Sequence, residues 1–81
     1  MVSVLLFGRL ADIAGWRARV IDPAPATLSA LRAQLTAEDP RLGEALAGIG
    51  VLAAINHAVC RTDVSLNAAK EVAFMPPMSG G

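Results

Sequence analysis

One stretch of this chain carries clear helical periodicity. Leu28, Leu31 and Leu35 recur at the spacing of a single helix face, Thr27 stands before them as a cap, and Ala30, Arg32 and Gln34 are good helix formers between them. The other apolar residues come in short runs of strand length, so the chain must combine one main helix with several strands. Val2-Ser3-Val4-Leu5-Leu6-Phe7 starts almost at the first residue, is apolar on both faces and ends at Gly8, which predicts an interior strand. Arg9 to Ala14 makes one short helical turn that Gly15 breaks, and Arg17 to Ile21 is a second strand with a wetter face, stopped by Pro23 and Pro25. After the helix, Glu38-Asp39-Pro40 marks a break, and Leu42 to Leu46 forms a shorter helix that frays at Gly48 and Gly50. Val51 to Ile55 reads as a buried strand, Asn56-His57-Ala58 as a turn, and Val59-Cys60-Arg61 as the returning strand. Asn67 to Lys70 is a loop, and Glu71 to Met75 is the last strand. Pro76-Pro77 forbids its extension, since neither residue can donate to a ladder.

Two antiparallel strands, then a helix crossing one sheet face, then short strands ending near the carboxyl terminus describe an α+β roll of the β-grasp kind. The expectation is a mixed sheet of about five strands with one main helix packed on one face. At 81 residues the chain is a single domain: residues 1–75 form the body, and residues 76–81 form an extended tail. Hydrophobic residues are 54% of the chain but aromatics only 4%, so the core is expected from Leu, Val, Ile and Ala, with Phe7 and Phe74 as larger fillers.

Seven basic and seven acidic residues cancel, with no run of like charge, which argues against nucleic acid or an anionic membrane surface as a partner. The longest apolar stretch, Ala45 to Ile55, is broken by Gly48 and Gly50 and is too short to span a bilayer as a helix. The amino-terminal run lacks a basic flank and a small-residue cleavage site, and a lone cysteine suits a reducing compartment; the cytoplasm is the expected location.

The inventory for catalysis is thin: one His, one Cys, no Tyr, no clustered metal ligands and no phosphate loop. His57 falls in a tight turn, where an exposed polar side chain is the ordinary occupant. Cys60, on a short strand between Val59 and Arg61, is better explained by packing than by redox work, and Trp16 by partial cover of the core.

The tail differs, because Pro76-Pro77-Met78-Ser79-Gly80-Gly81 makes no sense as part of a core. Consecutive prolines favour an extended conformation and push the residue before them to extended geometry, so Met75 to Pro77 should lead stiffly off the sheet. Ser79-Gly80-Gly81 has no bulky side chain and could enter a channel barely wider than a backbone. The four residues after Pro77, fully extended, reach at most about 14 Å, enough to put a terminal carboxylate inside a partner's active site. An idle, fraying end is the plain alternative, but Gly-Gly placed directly after a strand and a stiff spacer solves a delivery problem.

These residues, Glu71-Val72-Ala73-Phe74-Met75-Pro76-Pro77-Met78-Ser79-Gly80-Gly81, resemble the ending of the small subunits of molybdopterin synthase, a family of ubiquitin-like sulfur carriers. Val2 to Phe7, Leu28 to Leu35 and Ala54-Ile55-Asn56 fall in that family's order and spacing. Ahead of the last strand, Ala68-Ala69-Lys70-Glu71-Val72 departs from the family's frequent Gly-Asp-Glu-Val turn. The resemblance implies a ubiquitin-like β-grasp fold and a cycle run by partners, with no cofactor bound by this chain. An adenylyltransferase of the ubiquitin E1 kind would use ATP and Mg²⁺ to adenylate Gly81. A sulfur donor, such as a cysteine desulfurase or rhodanese-like protein, would then displace AMP to leave a thiocarboxylate. The large synthase subunit would take in the tail and pass sulfur to cyclic pyranopterin monophosphate, in a heterotetramer of two small and two large subunits. Gly80 would let the arm thread, and Phe74, Met75, Pro76, Pro77, Met78 and Ser79 would contact partners. Other readings are a carrier for thiamine thiazole or another sulfur-containing product, a ubiquitin-like interaction module with an idle tail, and a redox protein using Cys60.

Overall fold

A computed structural model describes residues 1–77. In chain order its elements are β1 (Val2–Leu6), α1 (Arg9–Ala14), β2 (Ala18–Ile21), α2 (Leu28–Glu38), α3 (Pro40–Leu46), β3 (Leu52–Ile55), β4 (Ala58–Cys60) and β5 (Glu71–Met75). The strands form one mixed sheet in the order β2-β1-β5-β3-β4, with β1 and β5 parallel and the other neighbours antiparallel. The last strand is therefore the central one.

Pairing fixes which side chains share a face. Val2, Val4 and Leu6 of β1 lie on the same side as Val72 and Phe74 of β5 and Ala53 of β3, and all of these are buried. Leu28, Leu31 and Leu35 of α2 close over them together with Leu42 and Leu46 of α3, giving one apolar core. Among the described residues no buried residue is polar or charged. The opposite side of the sheet has no helix across it and shows the other half of the alternation: Leu5, Ala73, Ala54, Leu52 and Met75.

Local chemistry sets the element ends. The Thr27 hydroxyl accepts from the Ala30 amide at 3.1 Å and caps α2, while the Asp63 carboxylate accepts from both the amide and the hydroxyl of Ser29 at 2.8 Å, adding a negative group at the same amino-terminal end. Asp39 ends α2 and caps α3, its carboxylate accepting from the amides of Arg41 and Leu42, and Pro40 takes the first helical position, where no amide is needed. The two helices approach closely at Gly43, where any side chain would run into Thr36. Thr36 has little room to yield, since its hydroxyl donates to the Arg32 carbonyl at 2.7 Å.

The β3–β4 hairpin turns at Asn56 and His57, both with positive φ (49° and 73°), the backbone that a two-residue hairpin with matching twist requires. Asn56 also holds the turn ahead of β5: its side-chain oxygen accepts from the amides of Lys70 (2.8 Å) and Glu71 (3.1 Å), and its amide group donates to the Ala68 carbonyl (3.2 Å). These three bonds hold Ala68 to Lys70 in a turn that contains no glycine.

The sequence reading holds for every element to within a residue or two, with three helices where one main and two minor ones were expected. One core assignment fails. Phe7 lies just past β1, 48% exposed, because the alternation that buries Val2, Val4 and Leu6 turns residue 7 toward the open face.

Candidate functional site at the carboxyl-terminal arm

The arm leaves the body where three strand ends meet. β5 ends at Met75 between the end of β1 and the start of β3, and Pro76 and Pro77 continue from it, the first half-buried and the second exposed. Pro76 and Pro77 form one wall of an open groove of about 440 Å³, with Leu10 and Ile13 of α1, Ala45 of α3 and Ile49 opposite them and Arg9 and Arg41 at its edge. Met78, Ser79, Gly80 and Gly81, the residues assigned to sulfur attachment, threading and partner contact, lie outside the described residues.

Of the docking residues expected on the body, Met75 is half-buried on the open sheet face, whereas Phe74 is wholly buried. It is 0% exposed, on the core side of the central strand, with the Arg32 guanidinium 5.3 Å from its ring. An aromatic on the core side of the middle strand is covered by the helices, so it holds the root of the arm from inside. Pairing places Leu5, Leu52, Met75 and Val59 on the uncovered face, and Phe7, which follows β1, is exposed. Strand alternation counted from Val2 would have placed Phe7 there from sequence.

The remaining candidates are ordinary. His57 is exposed at the hairpin tip, its Nδ1 3.6 Å from the Glu71 carboxylate. Cys60 is half-buried on the edge strand, its thiol donating to the Thr62 carbonyl at 3.5 Å. Trp16 packs partly against the core and carries the Arg19 guanidinium 5.0 Å over its ring; Arg19 in turn pairs with Glu38 of α2 at 2.9 Å. The Asp63 carboxyl is held below its ordinary range by the Ser29 hydroxyl and then by the Ser29 amide, as befits its place at the start of α2. No group of three His, Cys, Asp or Glu side chains among the described residues could hold a metal ion, and none of the described helices is long and apolar enough to cross a membrane. The described part of the arm, Pro76 and Pro77, leaves the body directly from the central strand β5.

The sequence is 35% identical to the molybdopterin synthase sulfur carrier subunit of Escherichia coli (strain K12) over 81 residues, covering all of both chains. The fold matches the crystal structure of SAMP1 from Haloferax volcanii with a TM-score of 0.82 at 26% identity, over 99% of this chain and 98% of that one, so the ubiquitin-like β-grasp fold is shared. The sequence profile of the ThiS family matches residues 4–81, from Val4 in β1 through the arm, and the chain belongs to that family.

Proposed function

We propose that this chain is the sulfur-carrier subunit of molybdopterin synthase, and that the carboxylate of Gly81 is its working group. The observation that carries the reading is the arm: a central strand that runs directly into Pro76-Pro77 at the body's edge, in a chain similar over its whole length to a carrier of that name. A carboxylate is a poor electrophile. Adenylation by an E1-like enzyme with ATP and Mg²⁺ gives it a good leaving group. Attack by the outer sulfur of a donor persulfide releases AMP and forms an acyl disulfide, which a thiol then cleaves, leaving a thiocarboxylate, whose sulfur is a strong nucleophile, and a disulfide on the donor's cysteine. The large synthase subunit then supplies the pocket in which sulfur passes to cyclic pyranopterin monophosphate, and this chain supplies reach, direction and an apolar face beside the arm. The partners' home, and that of this chain, is the cytoplasm.

The test is intact mass after incubation with the activating enzyme, ATP, Mg²⁺ and a sulfur donor, followed by addition of the large subunit and the pyranopterin. One oxygen replaced by one sulfur, then molybdopterin with return of the original mass, is the expected result. A loaded chain that yields no molybdopterin belongs to another sulfur pathway, and a chain never loaded has an idle tail. Extending the chain by one residue after Gly81 should abolish loading with no change in thermal stability, whereas Cys60→Ser should load normally; the opposite pattern would move the chemistry to Cys60.

A further inference from the structure

Two glycines flank the arm on the strands either side of β5. Gly8 follows the end of β1, and Gly50 precedes the start of β3, so both stand at the point where β5 gives way to Pro76 and Pro77. Both have positive φ, +57° at Gly8 and +84° at Gly50. A Cβ on Gly50 would lie 2.8 Å from Pro77 Cβ, and one on Gly8 would lie 3.0 Å from Pro76 Cγ. Each proline is thus seated against bare backbone: at Gly50 closer than a side chain would allow, and at Gly8 so close that a side chain would fit only if the Pro76 ring gave way by a few tenths of an ångström.

We propose that Gly8 and Gly50 are positioning residues for sulfur delivery: together they cradle the two prolines and fix the direction in which the arm leaves the body. The proposal rests on the carrier reading. Two prolines in succession hold the segment extended, but their own dihedrals do not set how that segment is aimed relative to the sheet. Contact of each ring with a neighbouring strand supplies the missing constraint. Pushing Pro77 outward by the better part of an ångström, as a Cβ at Gly50 demands, is magnified along a segment that reaches about 14 Å beyond it. A misplacement of about 1 Å at a reacting centre costs on the order of a hundredfold in rate.

Gly15 provides a matched control. Its φ is +81°, nearly that of Gly50, but a Cβ there meets nothing within 4 Å. Gly15→Ala and Gly50→Ala therefore carry the same backbone strain, and only the second disturbs the arm. The full-length variants are assayed for loading by the activating enzyme with ATP, Mg²⁺ and sulfur donor, with thermal melting in parallel. Gly50→Ala should lower kcat by about tenfold to a hundredfold with KM little changed, since the body still docks, while Gly15→Ala melts at a similar temperature and keeps its kcat. Gly8→Ala should also lower kcat, and that loss should fade in a Pro76→Ala background, where the ring carbon it strikes is gone. Equal kcat in the Gly50 and Gly15 variants, or a Gly8 effect indifferent to Pro76, overturns the proposal. Nuclear Overhauser contacts between Gly50 Hα and the Pro77 ring report the cradle without any sulfur chemistry. Their absence from the unaltered chain overturns the cradle alone, whereas an unaltered chain that shows them but is never loaded overturns the carrier reading and, with it, the delivery role.

Discussion

Phe74 sits wholly buried on the central strand, one residue before Met75 and two before the first proline of the arm, so its ring anchors both the core and the arm's root. Phe74→Ala should cost about 3–5 kcal/mol by urea denaturation, the usual penalty for emptying a large core site. Phe7→Ala, on the uncovered face, should cost less than about 1 kcal/mol. Comparable losses for the two would contradict the opposite environments of these rings. Asp63 acts at the same scale through charge. Its carboxyl is held below the ordinary value of 3.8 by the Ser29 hydroxyl first and the Ser29 amide second. A carboxyl depressed on folding contributes stability above its unfolded pKa and loses that contribution as pH falls through the lower, folded value. Asp63→Asn should therefore destabilise at neutral pH, and the gap from the unaltered chain should narrow as pH drops below the carboxylate range. A gap in urea midpoint that stays constant with pH would mean that geometry, not charge, makes the cap.

Between elements, the tightest contact is that of α2 with α3. The missing side chain at Gly43 lets Thr36 of α2 press against the α3 backbone, and Arg32 of the same helix donates to the Leu46 carbonyl at 3.2 Å, where α3 ends. Alanine at position 43 gains up to about 1 kcal/mol of helix propensity, but the overlap with Thr36 costs about 1–3 kcal/mol, so Gly43→Ala should lower the melting temperature. A rise in melting temperature would show that the helices can separate without loss. Asn56 does comparable work elsewhere: a residue that a sequence reading leaves as an ordinary turn polar group joins the β3–β4 hairpin to the loop feeding β5 through three hydrogen bonds.

The whole molecule divides its labour by face. Helices cover one side of the sheet and make the body stable; the other side stays open, with Phe7, Met75 and Val59 exposed or half-buried on it; and the arm leaves from the strand that both sides share. With β5 in the middle, the arm's root is braced by neighbours on both flanks, and an edge strand would have offered only one.

Order along the chain was legible from local rules. Thr27 before a leucine repeat, Asp39-Pro40 between helices, and Pro76-Pro77 after a strand act through bonds and dihedrals within a few residues, so the α+β order and the presence of an arm follow from sequence alone. Which phenylalanine is buried, what Asn56 holds, and that Gly8 and Gly50 stand on either side of the arm against Pro76 and Pro77 depend on pairing between residues far apart in the chain. Strand order and register bring those groups together, and neither is encoded in any short segment.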